Sequence, residues 1–160
     1  MGYAERATVR RVREALEAKG LKPGVVELDN TARSAREAAE ALGIRVEQIV
    51  KSLVFRASGS GRPVLVAASG PNRVDESRIS ETLGEPIEKA DANFVREKTG
   101  YSIGGVPPVG HIEAPVVFVD QALLDEDEVW AAAGHTHAVF PLAPEELVRI
   151  TGGRVVSVGD

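Results

Sequence analysis

One cation interrupts an apolar run, Ile49-Val50-Lys51-Ser52-Leu53-Val54-Phe55. The run has the composition of a buried strand, and an ammonium buried there is costly unless something compensates it. An anionic ligand in a cleft is one compensator. The other reading is that Lys51 snorkels out along the strand edge. A second cluster, Tyr101-Ser102-Ile103-Gly104-Gly105-Val106-Pro107-Pro108-Val109-Gly110-His111, is dense in turn formers. Adjacent glycines let backbone N–H groups approach a ligand closely, and the prolines stiffen the exit. Donors held this way can bind a developing oxyanion or a phosphate. The same composition also makes an ordinary turn. It is not a P-loop, because no Gly-Lys-Ser/Thr follows.

The remaining candidates for chemistry are weaker. His135-Thr136-His137 places two imidazoles on one face of a strand, and His111 lies at the exit of the glycine loop. No His-Glu-x-x-His pattern accompanies them, so no metal is expected. Ligand contact, a base role and plain packing all remain open for the histidines. Ser52 and Ser102 lie outside any Gly-x-Ser-x-Gly, and no Ser-His-Asp order is legible, which argues against a covalent serine mechanism. The chain of 160 residues has no cysteine. Thiolate catalysis, zinc–cysteine sites and disulfides are therefore excluded, and a reducing, cytoplasmic compartment is expected.

The elements that must position these residues can be read from periodicity. Val9, Val12 and Leu16 recur at helical spacing within Ala4–Ala18, and Gly20 follows as a stop. Val25–Leu28 reads as a strand. Ser34-Ala35-Arg36-Glu37 has the capping-box pattern and opens a helix to Leu42 that Gly43 ends. Val46–Gln48 reads as one helical turn before the lysine strand. Residues 58–63 are a turn, so Val64–Ala68 forms an antiparallel hairpin with that strand. Asp75 and Asp91 cap two further helices, running to Leu83 and over Ala92–Thr99, with an extended piece at Ile87 between them. Strands are predicted at Val116–Asp120, Val129–Ala133, Ala138–Phe140 and Val155–Val158. A last helix begins at Pro144. This mixture predicts one α/β domain over residues 1–160, built on a mixed, mostly antiparallel, barrel-like curved sheet with surrounding helices.

The net charge of −5 argues against broad electrostatic wrapping of nucleic acid. The charge is uneven: residues 1–24 carry six basic and three acidic side chains, against 13 and 21 in the remainder. A basic first helix could touch a phosphate backbone locally, or it could be a solvated face. Asp125-Glu126-Asp127-Glu128 reads as a solvated loop or helix start. No segment approaches the ~20 apolar residues of a membrane span. Aromatic residues are too scarce for base-stacking platforms.

Taken in order, the lysine strand, the preceding Thr31–Leu42 segment, the loop from Thr99 to His111, and Ala133-Gly134 before Ala138-Val139-Phe140 resemble the YbaK/prolyl-tRNA synthetase-associated domain family. The resemblance runs from about Val9 to Val158. It implies deacylation of mischarged tRNA in trans, commonly tRNA-Pro carrying Cys or Ala, without a cofactor. The family's essential lysine maps onto Lys51, and its Gly-x-x-x-Pro loop onto Gly104–Pro108, with Gly105 adjoining. By this resemblance Lys51, Gly104 and Gly105 are the catalytic candidates. Thr31, Ser52, Tyr101, Ser102, Ile103, Val106, Pro107, Pro108, Gly134, His135 and His137 are candidates for contacting substrate. The family's pattern varies across His135–His137. The implied partners are the aminoacylated 3′ end of tRNA and a synthetase, with no membrane; monomer and homodimer both stay open. Two other readings remain: a module that holds an acceptor end or nucleotide without hydrolysis, and an assembly protein with a vestigial cleft.

Overall fold

The structure, a computed structural model, describes residues 6–29 and 34–159. Helix α1 (Ala7–Ala18) turns Val9, Val12 and Leu16 inward, as their spacing requires. It is followed by β1 (Val26–Glu27) and α2 (Ala35–Leu42). The Ser34 hydroxyl caps α2 by accepting the Glu37 N–H at 3.1 Å. A 3-10 turn, Val46–Gln48, leads into the hairpin of β2 (Val50–Ala57) and β3 (Pro63–Ser69). Helices α3 (Glu76–Leu83) and α4 (Ala92–Thr99) flank β4 (Ile87–Lys89) and begin at the Asp75 and Asp91 caps. Strand β5 (Val116–Asp120), a 3-10 turn (Gln121–Asp125), β6 (Val129–His135), β7 (Ala138–Leu142), α5 (Pro144–Thr151) and β8 (Arg154–Val156) complete the order.

The strands form two sheets, ordered β1-β7-β6 and β4-β2-β3-β5-β8. Pairing is antiparallel throughout the first sheet and across β4, β2 and β3, and parallel across β3, β5 and β8. The mixed, mostly antiparallel α/β expectation is met, but the sheet does not close into a barrel. Among the described residues one isolated backbone bridge, Ile49 to Trp130, links the two sheets. Beyond it, β2 pairs with β4 from Phe55 onward. Between bridge and ladder, residues 51–54 have no strand partner on that edge among the described residues.

All seven residues of β3 are buried, and the reason is a sheet covered on both faces. On one face Val50, Leu65, Ala67 and Val119 pack with α1 and with Ala131 and Phe140 of the other sheet. On the other, Phe55, Val64, Val66 and Phe118 pack against Ile79 of α3 and Val158. The alternation of β2 therefore sends Lys51 to the α3 side and Ser52 to the α1 side. No helix among the described residues is long and apolar enough to cross a membrane.

Candidate active site

The unpaired edge of β2 borders a cavity of about 930 Å³. Lys51 and Ser52 line it, with Asn72 and Arg73 from the turn after β3. Ile103, Gly104 and Val106 of the glycine loop also line it, as do Thr136 and His137, with Trp130 and Ala132 of β6. Residues separated by 50 positions or more thus share one space. The cavity lies along residues 51–54 of β2, past the one bridge between the sheets and before the β4 ladder.

Lys51 is half-buried, and its ammonium donates to the Asn72 carbonyl at 2.7 Å. It is tethered to the 69–72 turn and lines the same cavity as Gly104. Burial pushes its pKa below the ordinary amine value, the nearby Arg73 charge pushes the same way, and Asp120 opposes both. An ammonium has three donors, and the Asn72 carbonyl is its one hydrogen-bond partner among the described residues. The remaining donors suit an anionic or carbonyl oxygen in the cavity.

The glycine loop is placed by close packing. Gly104 has φ +90°, a conformation that strains any residue with a Cβ, and an added Cβ would lie 2.9 Å from the Thr136 methyl. A Cβ on Gly105 would lie 2.9 Å from the His135 Cα. The Gly105 N–H donates to the Ser102 carbonyl at 3.0 Å. That donor is engaged inside the loop, and Gly105, expected as an oxyanion donor, is also packed tightly against the His135 backbone. Pro107 and Pro108 are buried behind the loop and do not line the cavity. Tyr101 is 1% exposed. Its hydroxyl donates to the Gly110 carbonyl at 2.9 Å and accepts from Arg11 Nε at 3.0 Å, fastening the loop to α1. Ser102 is exposed, and Ile103, 59% exposed, stands at the cavity mouth.

The histidine pair lies across a hairpin tip, where two imidazoles on one strand face were expected. The β6–β7 register shifts between Ala132 and His135, which ends β6, and His137 sits in the turn. The His137 N–H donates to His135 Nδ1 at 3.1 Å, and the ring centroids are 5.5 Å apart. Burial lowers the His135 pKa, with further lowering from Arg6 and His137. His137 lines the cavity. Gly134 faces α1 instead, where a Cβ would lie 2.8 Å from the Thr8 carbonyl oxygen. The Thr31 candidate lies outside the described residues.

Sequence reasoning missed Asn72, Arg73, Asp120 and Trp130. Asp120 carried the signal that selected Lys51, a charge against an apolar run, here Val116–Val119. Asn72 and Arg73 sit in a Gly-Pro turn whose side of the sheet only the fold decides. Ser52 Oγ and Trp130 Nε1 are buried without hydrogen-bond partners among the described residues. Both residues line the cavity, where a polar ligand group would satisfy those atoms.

A model of the aminoacyl-tRNA editing domain matches residues 29–150. The fold superposes with a TM-score of 0.92 on the crystal structure of a candidate trans-editing enzyme for prolyl-tRNA synthetase, 44% identical, covering 97% of this chain and 98% of that one. YwhH of Bacillus subtilis is 32% identical over 131 residues, 82% of this chain and 83% of its own length. A candidate Cys-tRNA(Pro)/Cys-tRNA(Cys) deacylase, EbsC of Enterococcus faecalis, is 26% identical over 126 residues, 78% of this chain and 76% of its own.

Proposed function

This chain belongs to the aminoacyl-tRNA editing domain family, and from that premise we propose that it hydrolyses the ester of mischarged tRNA in trans, with Cys- or Ala-tRNA(Pro) as substrates. The observation that carries the reading is the half-buried Lys51 ammonium, tethered in the cavity that Gly104 also lines. Such a cation, with Arg73 beside it, suits the terminal phosphate or the acyl carbonyl of an aminoacylated 3′ end.

In the proposed reaction, water attacks the acyl carbonyl and the ribose oxygen leaves. The tetrahedral oxyanion needs donors, and the Gly104 N–H is the glycine-loop amide assigned that role. The proton relay comes from the substrate: the neighbouring ribose hydroxyl takes the water's proton as it passes its own to the leaving ribose oxygen, or the thiolate of a cysteinyl ester takes that proton and hands it to the leaving oxygen. Discrimination by one methylene is worth only about 1–3 kcal/mol. A separate pocket that admits small side chains supplies it, with Ile103 and Val106 on its wall. The partners follow from the substrate: the acceptor end of tRNA, and prolyl-tRNA synthetase as the enzyme whose errors are corrected.

The test is a deacylation panel over Cys-, Ala-, Ser- and Pro-tRNA(Pro), wild type against Lys51→Ala. Turnover of a mischarged species that Lys51→Ala abolishes is the expected result. Protection of the aminoacyl ester, with no turnover by the wild type, would establish a binding module instead.

A further inference from the structure

Asp120 is the last residue of β5 and only 2% exposed, the one charged side chain so deeply buried among the described residues. Its two oxygens have different partners. Oδ1 accepts the Ala122 N–H at 3.0 Å, an ordinary cap on the 3-10 turn that follows. Oδ2 accepts the Ser69 N–H at 3.0 Å and the Asn72 side-chain amide at 2.9 Å. Capping does not explain these last two bonds, which reach about 50 residues back in sequence. They clamp the turn after β3, where the Asn72 N–H also donates to the Ser69 carbonyl at 2.9 Å and the Ser69 hydroxyl donates to the Glu47 carbonyl at 2.9 Å. With side chain and main chain both held, the Asn72 carbonyl is fixed, and it is this carbonyl that takes the Lys51 ammonium.

We propose that Asp120 is a positioning residue for the editing site: by clamping Asn72 it sets where the Asn72 carbonyl holds the Lys51 ammonium. The proposal rests on reading the cavity as the deacylation site. A buried carboxyl is costly without hydrogen-bond partners, and three neutral N–H groups satisfy this one. The charged groups around Lys51 are Arg73 of the same turn and Asp120 of β5, with Glu76 of α3 and Lys89 of β4 also lining the cavity. Burial and Arg73 both favour the neutral amine, and Asp120 is the group that opposes them. The position of Lys51 thus runs through one carboxylate that does not itself line the cavity, and the same carboxylate opposes the loss of the lysine's proton.

The experiment compares the full chain with Asp120→Asn and Asn72→Ala by two readouts. The first is kcat and KM for deacylation of mischarged tRNA. The second is titration of Lys51 by NMR after reductive methylation with 13C-formaldehyde, its resonance identified by absence from Lys51→Arg. In Asn72→Ala, kcat is expected to fall about tenfold with KM much less affected, the loss of one bond's worth of positioning at a charged group. In Asp120→Asn, kcat falls at least as far and Lys51 titrates at lower pH than in the wild type. Asn72→Ala leaves the Ser69 and Ala122 bonds to Asp120 in place, so it decides the matter if Asp120→Asn does not fold. Folded variants with kcat within about twofold of wild type and an unmoved Lys51 titration would overturn the proposal. A wild type that deacylates nothing would sink the functional reading, while the Lys51 titration would still report whether Asp120 controls the ammonium.

Discussion

Lys51 is held by polar bonds that run through Asn72 to a buried carboxylate, whereas Gly104 and Gly105 are held by backbone pressed against the 135–136 hairpin tip. One region depends on a side chain and its partners, the other on side chains being absent. Different substitutions should therefore break them differently. On the proposed function, a change at Lys51 is expected to remove chemistry and leave the scaffold, while a change at the glycines is expected to move the scaffold and take the chemistry with it. The reason lies in burial: hydrogen bonds can hold a half-buried cation without the core depending on it, but a loop seated on another backbone has no slack.

The largest effect is expected at Lys51. Lys51→Met keeps the stem and removes the charge. Deacylation should fall about 10²–10³-fold, the range seen when a transition-state donor is lost. Stability should hold or rise, because the desolvated ammonium disappears with the charge. Single-turnover deacylation and urea melts measure the two sides. Near-normal deacylation in a folded Lys51→Met would end the assignment of chemistry to this region.

Gly105→Ala should do the opposite. Its Cβ would meet the His135 Cα at 2.9 Å, with the His135 carbonyl carbon at 3.0 Å. Backbone cannot rotate aside, so the loop or the hairpin must move, at a cost of about 1–3 kcal/mol. Urea midpoints should fall, and deacylation with them. A stable, active Gly105→Ala would show that the loop is an ordinary turn, and the contrast with Lys51 would collapse.

The sequence carried the two regions unequally. Lys51 was legible because a charge in an apolar strand is a local anomaly, and in the structure it lines a cavity. The caps at Ser34, Asp75 and Asp91, the β2–β3 hairpin and the strand Val116–Asp120 were equally local and appear where expected. The Gly104–Gly105 pair was legible as a close approach, but which backbone it approaches is a tertiary fact. So is the fate of the Gly105 N–H, which a four-residue turn consumes. That the barrel-like curved sheet stops short of closing was hidden for a similar reason. Strand count and alternation do not reveal that β4 takes the edge of β2 after one bridge to β6. The Asn72–Asp120 bond joins residues 48 positions apart, and neither position announces the other.

A milder change probes how the glycine loop is fastened. Tyr101→Phe keeps the ring under the Arg11 guanidinium, 4.5 Å from its centroid. It loses the hydroxyl that bridges Arg11 and the Gly110 carbonyl. The expected loss is about 1 kcal/mol of stability, with deacylation reduced only as far as the loop loosens. Thermal melts beside single-turnover rates check this. A rate loss as large as that of Lys51→Met, without destabilisation, would mean that Tyr101 touches substrate and that the two regions are not separable.

The smallest effect is a pH dependence confined to the glycine side. His111 donates from Nε2 to the Pro107 carbonyl at 2.6 Å, beneath the loop. Burial lowers its pKa, the Pro107 bond opposes this, and Arg11 adds a smaller lowering. The sign follows from the lowered value. Between it and the unfolded value of about 6.5, the unfolded chain binds more protons than the folded one, so stability falls as pH drops through this window. The penalty is complete below the folded value and absent above neutrality. His135 is shifted in the same direction, so the wild-type slope alone does not isolate His111. In His111→Gln the neutral side chain can still donate toward Pro107 but cannot charge. Urea midpoints between pH 7.5 and pH 5 should therefore fall less in the variant than in the wild type. Equal slopes would mean that His111 charges without cost, and that the packing beneath the glycine loop is looser than its contacts require.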